Sequence, residues 1–171
     1  MENFTNETLD VAQLPKFEEV QMTPLHPRYW RVVMLTWGLI FLVVLLAIVF
    51  GFLFSPDFRP VAPKLLVVVC ASIIPIVALA YTAFRKKAFA FRTHDVLYRY
   101  GLLATTTVVI PYNRVQHVAL HEGWLSRMFG LATVQVFTAG GSSSDIEIPG
   151  IDKTQAENIK QLLMGKIQKE L

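Results

Sequence analysis

Two stretches without a charged side chain constrain this chain more than any other feature of it. Residues 32–54 are 23 in a row without Asp, Glu, Lys or Arg, and residues 65–84 are another 20. At about 1.5 Å of rise per residue they make helices of roughly 34 and 30 Å, against a bilayer hydrocarbon core of about 30 Å. A buried helix of a soluble protein rarely stays uncharged for so long, because one flank meets water. The first stretch starts too late and runs too long for the apolar part of a signal peptide, and a second follows it. The reading is two transmembrane helices. They account for an overall charged fraction of only 17%, where soluble domains carry about 25%.

Orientation follows the Lys and Arg residues near the ends of the spans. Arg85, Lys86 and Lys87 follow the second stretch, and Lys16, Arg28 and Arg31 precede the first. The loop 55–64 has Arg59 and Lys64 with Asp57 between them, and its three prolines suit a short stiff turn. Both termini are therefore expected in the cytoplasm. The sequons at Asn3 and Asn6 point the other way, and the basic cluster outweighs them. Arg85, Lys86 and Lys87 attract anionic lipid at about 1 kcal/mol each, and a stop-transfer role explains them equally well. Tyr29, Trp30 and Tyr81 read as interfacial aromatics, and Pro75 as a kink in the second helix. Neither stretch contains an ionisable Asp, Glu, Lys, Arg or His, which argues against an ion or proton path. The spans read as anchors. Cys70 is the single cysteine, so no intramolecular disulfide is possible. Residues 1–25, polar and mildly acidic, read as a flexible tail.

From residue 88 the pattern changes to alternation. Residues 88–93 and 96–100 read as strands joined at His94-Asp95, and the β-branched run 105–110 as a third that ends at Pro111. Residues 114–121, 132–138 and 145–149 continue the series, with a turn-rich run 139–144 before the last. The chain closes on an amphipathic helix. Asp152 is placed to cap it, Ile151 to staple against Ala156, and Ala156, Ile159, Leu162, Leu163 and Ile167 form its apolar stripe. About six strands and a covering helix define a small α+β domain: a partly closed antiparallel β-barrel of pleckstrin-homology-like (PH-like) type.

At this point the residues carry a resemblance. Ile110-Pro111-Tyr112-Asn113-Arg114-Val115-Gln116-His117-Val118, then 127–134, Thr138-Ala139-Gly140-Gly141 and Ile148-Pro149-Gly150 follow Leu25-His26-Pro27-Arg28-Tyr29-Trp30 and two spans. This ordered set resembles the bacterial PH-like membrane proteins of YdbS type. The charge pattern read above divides the chain into a cytoplasmic N-terminal tail over 1–31, spans over 32–54 and 65–84, a periplasmic loop over 55–64 and a cytoplasmic domain over 85–171, which the resemblance implies is of bacterial PH-like type. The membrane is then the bacterial inner membrane.

The candidate chemistries are few. His117 and His121 lack a third ligand, so no metal is expected. Ser142 to Ser144 with Asp145 has no nucleophile elbow, so no catalytic residues are assigned. Gly140-Gly141 lacks the Lys-Ser/Thr and helix of a phosphate loop, and no cofactor is expected. The turn at His94-Asp95, with only Arg92 and Arg99 near it, does not suit inositide recognition. Nothing resembles a basic, aromatic-interleaved surface for nucleic acid. The candidate binding residues are Trp124, Arg127, Met128 and Phe129, in a short helix bracketed by Gly123 and Gly130. That helix either plugs the barrel or presents Trp124 as a docking anchor. The expected function is a non-enzymatic interaction or scaffold module in the bilayer. Its expected partner is another membrane protein of the family, or a second copy. The alternative is a lipid- or small-ligand-binding domain facing the headgroups.

Overall fold

The computed structural model describes residues 19–139 and 146–170, with side chains through 166. Residues 1–18 of the expected tail with both sequons, residues 140–144 of the expected turn, Asp145 at the head of the expected strand and the Ile167 side chain lie outside the described residues.

α1 (Arg28–Phe54) and α2 (Ala62–Lys86) are 27 and 25 residues long and pack side by side as a hairpin. A 3-10 turn over Pro56–Phe58 joins them. The turn is tight because residue 51 is glycine: a Cβ there would stand 2.7 Å from Cδ1 of Phe58. Pro63 falls in the first turn of α2, where its missing N–H costs nothing, and α2 runs on through Pro75. α1 starts four residues before the charge-free stretch, so Arg28 and Arg31 sit on the helix itself. Large apolar side chains such as Val43, Phe50, Val67 and Ile74 point outward from the pair and are exposed.

Two antiparallel sheets follow the hairpin. β2 (Ala88–Phe91), β3 (Asp95–Tyr100) and β4 (Thr106–Pro111) form a meander in which Phe89 faces Tyr98 and Val96 faces Ile110. β5 (Val115–His121), β6 (Leu131–Thr138) and β7 (Ile146–Asp152) form the second sheet. A seventh strand, β1 (Thr23–Pro24), precedes the hairpin and pairs with β2, Thr23 opposite Phe89 and Pro24 opposite Ala88. A flexible tail through residue 25 is therefore incorrect for residues 23–25. The proline is tolerated because β1 is an edge strand. The sheet orders are β1-β2-β3-β4 and β5-β6-β7, with no ladder between β4 and β5, so the barrel is open there.

Tyr112 bridges that corner. It lies buried in the 3-10 turn Tyr112–Arg114, its N–H donates to the His94 carbonyl at 3.0 Å and its hydroxyl to the Arg92 carbonyl at 2.7 Å. Between the sheets Val96, Val134, Val136 and Ile148 are fully buried. α4 (Lys153–Glu170) covers this core with Ala156, Ile159 and Leu163. Asp152 caps it, accepting the Thr154 N–H at 3.1 Å. Leu163 is buried, whereas Leu162, expected in the same stripe, is 47% exposed. Adjacent helical positions are about 100° apart, and only one of the two can face the sheets.

Candidate functional site at the base of the hairpin

The hairpin and the domain share side chains. Leu25 is buried in the domain core, and Tyr29 and Phe84 pack against that same core from the first turn of α1 and the end of α2. The His26 N–H donates to the Gly150 carbonyl at 3.0 Å, which ties the approach to α1 to β7. Aromatic rings fill the angle between the helices. Trp30 meets Tyr81 edge-on at 5.1 Å and Phe84 at 5.7 Å, and Tyr29 lies 6.3 Å from Phe84. Beside them Leu25, Trp30, Tyr81, Phe84 and Arg85 bound a cavity of about 450 Å³.

The three cations after α2 are not equivalent. Arg85 is exposed. Lys86 donates from Nζ to the Leu102 carbonyl at 2.6 Å, pinning the β3–β4 loop to the last turn of α2. Lys87 is the single residue between α2 and β2, and burial lowers the pKa of its ammonium. Arg85, Lys86, Arg99 and Thr105 line an open cleft of about 420 Å³ on this side. The linear run of basic residues gave no sign of that division, since it depends on where the β3–β4 loop returns.

α3 (Trp124–Met128) lies against α1 and β6. Its four apolar residues do not share one face. Leu125 and Phe129 are half-buried, while Trp124 is 72% and Met128 66% exposed, and Arg127 is exposed with them. The plug is thus overturned for Trp124 and Met128, because α1 occupies one side of α3 and only Leu125 and Phe129 turn inward. His117 stacks on Phe137 at 4.1 Å and His121 is exposed on the same strand. Among the described residues no three His, Cys, Asp or Glu side chains are grouped to hold a metal. Arg92 grips Asp95 in a two-pronged ion pair across the β2–β3 turn. This pairing holds its guanidinium pKa above the ordinary value.

The match to known proteins extends through this architecture. Residues 10–167 match the model of the bacterial PH domain, a stretch that takes in β1, the hairpin and both sheets. The chain belongs to the bacterial PH domain family. It is similar to the UPF0699 transmembrane protein YdbS of Bacillus subtilis (strain 168), with 33% identity over 67 residues, or 39% of this chain. The matched stretch spans 40% of that relative's length. No solved structure matches the chain significantly. Two long apolar helices and a transmembrane relative make this a membrane protein of YdbS type.

Proposed function

We propose that the protein is a non-enzymatic interaction module that crosses the bacterial inner membrane twice, with both termini in the cytoplasm, and binds another protein of that membrane. One observation carries the reading. Leu25, just ahead of α1, lies in the domain core, and Tyr29 and Phe84 pack against that core from the hairpin ends, so a tilt of either helix is passed to the sheets. A simple anchor needs only a flexible linker, whereas shared packing couples what meets the helices to what meets the domain. Placing α2's basic end and the first-turn Arg28 and Arg31 in the cytoplasm agrees with the distribution of Lys and Arg. The partner is a second copy or another PH-like membrane protein. Photoreactive residues at Ile74, on the hairpin's exposed side, and at Met164, on the outer side of α4, should crosslink one and the same protein in intact cells. Absence of a discrete adduct from both positions would contradict the reading.

A second reading, a domain that faces the headgroups, is favoured by the cleft between Arg85, Lys86, Arg99 and Thr105. Its cations lie beside the end of α2, at the level where anionic headgroups would stand.

A further inference from the structure

Among the described residues outside the hairpin, the three most exposed large apolar side chains are Leu103 at 97%, Trp124 at 72% and Met128 at 66%. They sit on different elements, yet each element is fastened to the hairpin at the same end. Leu103 is in the β3–β4 loop, which Lys86 holds against the last turn of α2 through the Leu102 carbonyl. Trp124 and Met128, four residues apart on one side of α3, stand beside α1. The part of α1 concerned is its first turns: Gly150 of β7 touches Tyr29, and Lys153, the residue after β7, donates its N–H at 3.0 Å to the carbonyl of Gly130, just past α3.

We infer that these side chains are two apolar prongs by which the domain rests on the bilayer, Leu103 beside α2 and Trp124 with Met128 beside α1, both seated at the headgroup–acyl boundary. The inference rests on the membrane crossing of the hairpin and is independent of any protein partner. Its occupant is the lipid surface. A tryptophan at headgroup level is at home in the interface, and leucine and methionine at that level bury apolar area there. The charges agree. Arg28, Arg31, Arg85 and Arg127 are exposed at this same end, and Glu122, the acid next to α3, is paired with Lys153 at 2.9 Å. A basic rim around apolar prongs fits a surface of anionic lipid and does not fit water. Because Leu25, Tyr29 and Phe84 fix the domain to the hairpin, the prongs are held at bilayer level without a separate binding step.

The test uses the full chain with Cys70→Ser in vesicles of phosphatidylethanolamine and phosphatidylglycerol. An environment-sensitive dye is attached in turn to Leu103→Cys, Trp124→Cys and, as an aqueous reference, Leu162→Cys. Dyes at 103 and 124 should be quenched by lipid carrying a nitroxide near the ester groups, and should be several-fold less sensitive to aqueous acrylamide than the dye at 162. Equal acrylamide quenching at all three positions would overturn the inference. So would shielding of position 124 that disappears as the protein is diluted in lipid, which would assign α3 to a second copy. Failure of the crosslinking experiment above would leave this measurement untouched.

Discussion

The ring of Tyr29 occupies the space that a side chain on Gly150 would need. A Cβ at residue 150 would stand 2.6 Å from the Cβ of Tyr29, and the backbone there has φ of +66°, which disfavours every residue with a side chain. Here α1 lies against β7, and the His26 N–H bond to the Gly150 carbonyl holds the same junction between the domain and the hairpin.

Gly150→Ala should therefore destabilise the protein on two counts. Backbone strain costs about 1–3 kcal/mol, and overpacking against Tyr29 about 1–3 kcal/mol more. Thermal unfolding in nanodiscs is the measurement. Measured against Tyr29→Gly alone, adding Tyr29→Gly should relieve the overpacking part of the loss, since both the ring and the Cβ are then gone while the strain remains. A Gly150→Ala protein as stable as the parent would mean that this contact does not form.

Leu25→Ala should cost about 2–5 kcal/mol, as for a core leucine, although the residue precedes both helices. A fragment starting at residue 88 should be less stable still, because it lacks β1, Leu25 and Tyr29 together. Resistance to proteolysis reports both effects. Unchanged stability of either variant would return residues 23–25 to a tail.

What could be read in the sequence follows from the strength of each local signal. The helices and β2 to β7 were legible because charge-free runs and two-residue alternation are properties of the segment itself. β1 was not legible: Thr23 and Pro24 are too few to show a period, a proline argues against a strand, and the partner lies beyond the hairpin. α3 showed its four apolar residues but not which of them would be covered, since that depends on α1 standing on one side of it. The same reason hid the different fates of Arg85, Lys86 and Lys87. Tyr112 stood within the recognised run 110–118, but its role at the open corner is set by the β2–β3 turn that it meets.

α4 offers a paired comparison. Leu163→Ala should cost about 2–5 kcal/mol, because the side chain is 1% exposed. Leu162→Ala should stay within about 0.5 kcal/mol, as for an exposed position. Equal effects from the two neighbours would mean that α4 is rotated on the sheets.

Alkaline pH should weaken the domain. Burial pushes the phenol of Tyr112 up to about 12 from an ordinary value of 10.0, and that of Tyr98 higher still. Above pH 10 the unfolded chain has released protons that the folded chain still holds, so stability falls as pH rises through the window of about 10 to 12. Below that window these two phenols add no pH dependence. Tyr112→Phe removes one of them and should make the alkaline loss of stability shallower. It also loses the hydrogen bond to Arg92, at about 1 kcal/mol across all pH values. An alkaline profile as steep as the parent's would show that Tyr112 does not titrate differently in the fold.

The central claim is that the hairpin and the PH-like domain are one body, and a distance distribution tests it most directly. Spin labels at Phe54→Cys, exposed at the far end of α1, and at Leu162→Cys, exposed on α4, would be measured by pulsed dipolar spectroscopy in the Cys70→Ser protein in nanodiscs. Shared packing of Leu25, Tyr29 and Phe84 calls for a single narrow distribution, which should broaden when Leu25 and Tyr29 are both changed to alanine. A broad distribution in the parent protein, unchanged by those substitutions, would contradict the claim and leave the helices as an anchor alone.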